Sequence, residues 1–187
     1  MNFSRKNSMG IKNLKPLLKS IKFKSKKFSN LEKFLKNNLN DVKKKWPINL
    51  PSGIIHADLF VDNIFFKKNQ LSGIIDFYFA ANDFFMYEIS ICINGLCFDR
   101  RNYKFKINNQ KIKSLIKGYE SVRKISIKEK KSLNTLCRGA AIRYLLTRLY
   151  DYSNTPKTAL IQIKDPNEYY QKLITHNNLK SYDDYLA

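Results

Sequence analysis

The chain has 187 residues, of which 43% are hydrophobic, so it can bury one globular core and is too apolar to be a disordered protein. It contains no apolar run of about 18 residues that could span a membrane, no segment like a signal peptide, and only three cysteines in apolar surroundings, so we expect a reduced, cytoplasmic protein. The net charge of +20 is spread along the whole chain without a nucleic-acid-binding motif, so we interpret it as compositional bias and expect no nucleic-acid or membrane partner.

The first predicted elements are a basic segment and a helix. Residues 1–27 carry nine basic residues and no acidic one, and we interpret them as a linker or hinge rather than a transit peptide or a nucleic-acid-binding arm. Ser29 and Glu32 have the spacing of a capping box, which predicts the start of a helix. Apolar residues at near-helical spacing follow as far as Trp46, and Pro47 ends the pattern.

The next stretch places four polar residues at the ends of two apolar strands. The first strand leads into His56 and Asp58, and Asn63 follows five positions after Asp58. A hairpin with its turn at residues 67–70 then returns the chain to a second apolar strand, which ends at Asp76. Strand, loop, spacing and second strand together are a far more specific signal than a lone His-x-Asp.

Four further helices follow along the chain. They are predicted from Phe84, capped by Asp83, to Cys97; over 110–122; from Ser126, where Ser126 and Glu129 form a second capping box; and from Asp165-Pro166. The predicted fold class is therefore α+β and mainly helical, with a small β-hairpin that carries the polar motif.

These polar residues match the needs of phosphoryl transfer to an alcohol. A hydroxyl needs a positioned group that takes its proton, and Asp58 is the candidate base. Magnesium prefers oxygen ligands, which Asn63 and Asp76 can provide while the ion bridges the phosphates of ATP. His56 either braces the loop or takes part in the chemistry. Asp62 either contacts the substrate or caps a turn.

Five segments resemble bacterial homoserine kinase of the aminoglycoside-phosphotransferase/choline-kinase type, a protein-kinase-like family. They are residues 54–63, 71–80, 91–98, 138–151 and 164–169. The resemblance implies ATP-dependent phosphorylation of the L-homoserine hydroxyl, a step of threonine biosynthesis. It implies that Asp58 is the base and that Asn63 and Asp76 hold Mg²⁺.

The resemblance also predicts the domain organisation. Residues 28–187 match the C-terminal, catalytic and substrate lobe, whereas the N-terminal nucleotide lobe, with its phosphate-covering loop and lysine, is expected to be absent from this chain. No glycine-rich loop can be built from its six isolated glycines. We therefore expect a fragment that is nearly inactive alone and that needs this lobe in cis or in trans. Val61 and Glu88 stand where the family usually has Pro and Asp.

The substrate contacts are less specific in the sequence. Homoserine carries a carboxylate and an ammonium group, so an arginine and an acid should meet it. Arg138, Arg143 and Arg148 share one predicted helix, but steps of five residues turn them about 140° apart, so they cannot all face one pocket. The substrate candidates are Asp62, Tyr78, Asn94, Arg138 and Arg143.

Two alternatives keep part of this interpretation. One is a related phosphotransferase for another small molecule, such as an amino alcohol, an aminoglycoside or a choline-like compound. The other is a non-catalytic basic binding protein derived from a kinase lobe. The complete set of Asp58, Asn63 and Asp76 disfavours the second alternative.

Overall fold

Six α-helices and three two-stranded sheets form the part of the chain that the computed structural model describes, which is residues 4–23, 26–156, 158, 160 and 163–187. The helices are α1 (Leu14–Ser20), α2 (Lys26–Lys44), α3 (Phe85–Leu96), α4 (Asn109–Glu120), α5 (Ile127–Asn154) and α6 (Asn167–Asn178). The strands are β1 (Ser52–Ile55), β2 (Ile64–Lys67), β3 (Gln70–Ile74), β4 (Ala81–Phe84), β5 (Phe98–Arg101) and β6 (Lys104–Ile107). The predicted class, α+β and mainly helical with small β elements, is confirmed.

All three sheets are antiparallel. β1 pairs with β4, β2 with β3, and β5 with β6. The predicted hairpin is therefore present, and its turn consists of Lys68 and Asn69, which both have positive φ. Two successive residues of this kind match the right-handed twist of the flanking strands. The hairpin formed by β5 and β6 was not predicted. It turns in the same way at Asn102 and Tyr103.

Helix α5 lies at the centre of the core and packs against α1, α2, α3 and α6. Its small residues Gly139, Ala140 and Ala141 are buried and let the neighbouring elements approach closely. A Cβ atom on Gly139 would overlap the ring of Trp46. Helix α3 is buried along most of its length, as its apolar sequence predicts.

The helix starts agree with the sequence signals only in part. The capping box of Ser126 and Glu129 opens α5 as predicted. The predicted start at Ser29 is wrong, because α2 already begins at Lys26; the side chain of Ser29 lies outside the described part. Asp83 does not cap α3. It belongs to β4, where pairing with β1 takes precedence over its capping tendency, and Phe84 occupies the cap position.

The predicted linker contains an ordered helix. Helix α1 buries Leu14 and Leu18 in the core, next to α5. Nearer the start, Lys6 forms a parallel bridge to Asn82, at the free edge of β4. The described residues 6–20 of this segment thus contact the rest of the described structure at β4 and α5, and the division at residue 27 stays a prediction.

The three cysteines are free and buried, in line with the expected absence of disulfides. Burial raises the pKa of the Cys137 thiol to about 12, which makes it a poor nucleophile at neutral pH. Of the helices in the described ranges, none is both long and apolar enough to cross a membrane.

Candidate active site

The loop after β1 carries His56, Ala57 and Asp58. Ala57 is buried and has φ of 63°, in the left-handed region that residues other than glycine seldom adopt. Its N–H donates to Glu88 Oε2 over 2.7 Å, and its carbonyl accepts from Arg143 Nη1. The backbone of this residue is therefore hydrogen-bonded on both sides, to Glu88 of α3 at its N–H and to Arg143 of α5 at its carbonyl.

His56 connects this loop to the end of the β2–β3 hairpin. The N–H of Asp58 donates to His56 Nδ1 over 3.3 Å, so this nitrogen acts as the acceptor. We therefore assign the proton to Nε2, which lies 2.9 Å from the carbonyl oxygen of Ile75 and donates to it. Because Ile75 directly precedes Asp76, the imidazole ties the loop of Asp58 to the position of Asp76.

Asn63 makes a second connection between the same two segments. It ends a short 3₁₀ turn, Val61–Asn63, and its side-chain amide donates to the carbonyl of Asp58 over 2.9 Å. Its own carbonyl accepts from the N–H of Ile75 over 3.1 Å. This orientation uses the NH₂ group of Asn63 internally and leaves the side-chain oxygen for a ligand.

Asp76 follows β3 with φ of 63°, again in the left-handed region. Its Oδ1 accepts from the N–H of Tyr78 over 3.4 Å, and the residue is exposed. Asn63 and Asp76 thus flank Ile75 and offer one amide and one carboxylate oxygen.

This donor set suits magnesium rather than a metal that needs a complete protein cage. Among the described residues, no group of three or more His, Cys, Asp or Glu side chains could hold a metal ion. Magnesium commonly binds through one or two protein oxygens and completes its shell with water and phosphate oxygens. The two oxygens from Asn63 and Asp76 fit that mode.

The carboxylate of Asp58 is partly exposed and is approached by two residues of α5. Tyr144 donates from its hydroxyl to Oδ1 over 3.1 Å, and Arg143 Nη2 lies 3.7 Å from the same oxygen. Burial raises the pKa of Tyr144 well above its usual value, so the hydroxyl keeps its proton. Burial alone would lower the pKa of Arg143, but the nearby phenols and Asp58 outweigh it and raise the pKa.

Glu88, on α3, reaches the loop despite its extra methylene compared with the expected aspartate. Burial raises its pKa, although the bonds from the loop backbone act in the opposite direction. Its Oε1 atom is buried without a hydrogen-bond partner among the described residues. The longer side chain therefore makes the contact to Ala57 through one oxygen only.

The other predicted site residues lie in three different settings. Asp62 and Tyr78 are exposed, and Asp62 Oδ2 lies 3.6 Å from Lys164 Nζ. Asn94 is fully buried, where its amide bonds to two carbonyls and to His176. Arg138 pairs with Asp41 on α2.

The three arginines of α5 face different partners, as their spacing predicts. Arg138 contacts α2, Arg143 contacts the loop of Asp58, and Arg148 pairs with Glu168 on α6. The sequence interpretation did not single out Tyr144 or Lys164 as site residues. Tyr144 fits the apolar face of its helix, and Lys164 is one of many lysines, so neither has a distinguishing signal.

Comparison with known proteins identifies the family of the chain. The sequence profile described as "Phosphotransferase enzyme family" matches residues 11–111. The chain is 51% identical over 140 residues to the homoserine kinase of Acidiphilium cryptum, a match that covers 75% of this chain and 43% of that protein. It is 42% identical over 183 residues to the homoserine kinase of Sinorhizobium fredii, covering 97% and 55%. With the homoserine kinase of Rhodospirillum rubrum it shares 43% over 174 residues, covering 92% and 53%. The chain thus spans about half the length of the curated relatives that it matches.

Proposed function

This chain belongs to the phosphotransferase enzyme family, and from that premise we propose that it forms the catalytic lobe of an ATP-dependent kinase that phosphorylates the hydroxyl of L-homoserine. The observation that carries the proposal is the connected arrangement of Asp58, Asn63 and Asp76, in which His56 and Asn63 both bind the peptide groups of Ile75. The homoserine kinases that match nearly the whole chain support the choice of acceptor.

In this proposal Asp58 is the base that takes the proton of the acceptor hydroxyl. Its Oδ1 is held by Tyr144, and within the described residues its Oδ2 has no hydrogen-bond partner. This second oxygen is therefore the one that can receive the proton as the hydroxyl attacks the terminal phosphate. His56 serves the reaction through the backbone, because both of its ring nitrogens are engaged there.

Asn63 and Asp76 would hold Mg²⁺ through their side-chain oxygens. When bound, the ion supplies positive charge that offsets the charge of the ATP phosphates. The contribution of this chain is to hold the backbone of Asn63, and of Ile75 next to Asp76, at a fixed relation to Asp58. That relation depends on hydrogen bonds to backbone atoms, so it does not require bound nucleotide.

For the acceptor side, Asp62 and Lys164 present opposite charges beside the catalytic loop. A zwitterionic amino acid could bind between these two side chains, with its ammonium group on Asp62 and its carboxylate on Lys164. A cavity of about 510 Å³ lies between α2, α5 and α6, with Leu145 and Asp165 in its lining. Neither Asp58 nor Asp62 lines this cavity, so the proposal places the acceptor beside the exposed pair rather than inside the cavity.

The remaining substrate candidates differ in how accessible they are to a ligand. Tyr78 is exposed beside Asp76, so it can contact a ligand without breaking the fold. Asn94 and Arg138 would have to give up internal hydrogen bonds for a substrate, so the proposal relies on Asp62 first. Arg143 is buried and donates to the backbone of the loop, so it is not a substrate contact in this proposal.

The nucleotide lobe remains a proposed partner, in cis or in trans. The strands near the candidate site expose large apolar side chains, including Ile54, Phe66 and Leu71, with exposed fractions of 58%, 68% and 58%. Exposed apolar surface of this kind is typical of an interaction site. A lobe seated there would place its phosphate-binding groups opposite Asn63 and Asp76.

The test is ATP-dependent phosphorylation of L-homoserine by the chain fused to a nucleotide lobe from a relative. We expect Asp58→Asn to lower kcat at least 100-fold, in the range lost when a positioned base is removed. Asp151→Asn is the matched control, because Asp151 is an exposed carboxylate on α5. Turnover of Asp58→Asn within twofold of wild type would refute the role of Asp58.

A further inference from the structure

We propose that Tyr144 and Arg143, two consecutive residues of α5, are positioning residues for Asp58: Tyr144 holds one oxygen of its carboxylate, and Arg143 holds the peptide that precedes it. The inference rests on the proposed function, because it takes Asp58 as the base. It gives Arg143 a different role from the substrate contact that the sequence suggested.

Tyr144 and Arg143 make hydrogen bonds to different atoms of the loop. The Tyr144 hydroxyl lies 3.2 Å from the carbonyl oxygen of Ala57 and 3.1 Å from Asp58 Oδ1, but a phenol has only one proton to donate. Arg143 Nη1 already donates to the same carbonyl oxygen. The proton of Tyr144 is therefore available to Asp58.

Arg143 acts on the backbone rather than on a substrate. It is 1% exposed, and its guanidinium lies 5.3 Å from the ring centre of Phe79 and 4.7 Å from that of Tyr144. A buried charge is costly unless it is paired, and its closest acidic group is Asp58. A guanidinium enclosed in this way can orient the loop but cannot reach a ligand.

The conformation of Ala57 explains why the loop needs such support. Its left-handed backbone is unfavourable for a residue with a Cβ atom, and it sets the direction in which Asp58 leaves the loop. Glu88 holds the N–H of this residue and Arg143 its carbonyl. Without Arg143, the peptide between Ala57 and Asp58 would lose its charged donor and could rotate.

The hydroxyl of Tyr144 is held in place by the packing of its ring. Its ring meets Phe60 edge-on, with 4.9 Å between ring centres, and Tyr169 at 5.1 Å. The hydroxyl thus reaches Asp58 from a ring that has little freedom to move. With Oδ1 held by this bond, Oδ2 remains free for the acceptor hydroxyl, in the geometry that preorganised active sites require.

The experiment compares Tyr144→Phe with Asp58→Asn in the chain fused to a nucleotide lobe. Tyr144→Phe keeps the ring and removes only the hydroxyl. We expect kcat to fall at least tenfold, while KM for ATP and for L-homoserine stays within twofold and the thermal midpoint changes little. Tyr150→Phe is the control, because Tyr150 is on the same helix and is 40% exposed.

A second pair of variants tests Arg143. Arg143→Lys keeps the positive charge but replaces the planar fork by a single ammonium group, so we expect a lower kcat with an unchanged KM for ATP. Arg101→Lys, at the exposed end of β5, is the control and should keep wild-type kcat.

The outcomes separate this inference from the function on which it rests. If Asp58→Asn is inactive while Tyr144→Phe and Arg143→Lys both keep kcat within twofold of wild type, the positioning role is wrong and the kinase function stands. If Asp58→Asn retains activity, the proposed function itself fails. A loss of kcat that only follows a loss of folded protein, measured by circular dichroism, would assign a purely structural role and overturn the inference.

Discussion

Gly95 is the point at which a single methyl group should disturb the loop that carries Asp58. It lies near the end of α3, under Leu59 and Phe60. A Cβ atom at this position would lie 2.8 Å from Phe60 Cδ1, 3.0 Å from its Cε1 and 3.2 Å from the carbonyl oxygen of Leu59. Carbon atoms pack at about 3.5 Å or more, so the ring would have to move by about 0.7 Å.

The ring of Phe60 has little room for that movement. Its other neighbour is Tyr144, at 4.9 Å between ring centres, and Tyr144 bonds to Asp58. Overpacking of this kind costs about 1–3 kcal/mol, while replacing glycine by alanine in a helix contributes about 0.5–1 kcal/mol in the opposite direction. We therefore expect Gly95→Ala to lower the free energy of unfolding by about 1 kcal/mol.

The assay is urea denaturation followed by circular dichroism, with Gly118→Ala as the matched control. Gly118 is in α4, and a Cβ atom there would meet no heavy atom within 4 Å. The control should gain about 0.5–1 kcal/mol from helix propensity alone. If Gly95→Ala stabilises the protein as much as Gly118→Ala does, the close packing of α3 under the loop is wrong.

Two more predictions concern the core. Gly139→Ala should displace the ring of Trp46, which is the only tryptophan, so its fluorescence spectrum should shift. After the helix-propensity gain is subtracted, stability should fall by about 1–2 kcal/mol; an unchanged spectrum would contradict the contact. Burial lowers the pKa of His176 from 6.5 to about 3. Between these two pH values the unfolded state therefore binds a proton at this residue and the folded state does not. Above pH 6.5 His176 is neutral in both states, and the stability of the folded protein is not reduced by this residue. Below pH 6.5 the free energy of unfolding should fall by about 1.4 kcal/mol per pH unit. In chemical denaturation between pH 6.5 and 5, His176→Gln should lack this part of the slope, and an equal slope in both proteins would refute it.

Features that depend on neighbouring residues in sequence were the most predictable. The capping box of Ser126 and Glu129 satisfies the first turn of α5 with groups three residues apart, so the surrounding fold hardly matters. The turn of the β2–β3 hairpin is similarly local. At β5 and β6 the same turn geometry uses Asn102 and Tyr103, but the flanking strands are rich in charged residues and contain no apolar run, so the signal is too weak to separate from a loop.

Features that depend on tertiary contacts could not be read in this way. Aspartate is a residue type that is favoured at helix caps, but pairing between β1 and β4 places Asp83 in a strand. Arg143 and Ala57 are 86 residues apart in sequence, and only the packing of α5 under the loop brings them together. Arginine and tyrosine side by side on a helix look like a surface residue beside a core residue, and nothing in their spacing indicates a common partner.

The candidate site was predictable for a different reason. The proposed chemistry needs a base and two oxygen ligands, and the spacing of Asp58, Asn63 and Asp76 in the sequence matches that proposal. The supporting contacts of Glu88 and Tyr144 carry no such pattern, because many side chains could hold a loop. Their geometry had to come from the structure.

The most direct test of the account is the choice of acceptor. The chain, fused to a nucleotide lobe, would be incubated with Mg²⁺ and ATP labelled at the terminal phosphate, and transfer of label would be measured to L-homoserine, choline, ethanolamine and an aminoglycoside. We expect the highest kcat/KM for L-homoserine and a loss of transfer in Asp58→Asn. A preference for an acceptor that lacks a carboxylate, or transfer that survives in Asp58→Asn, would contradict it.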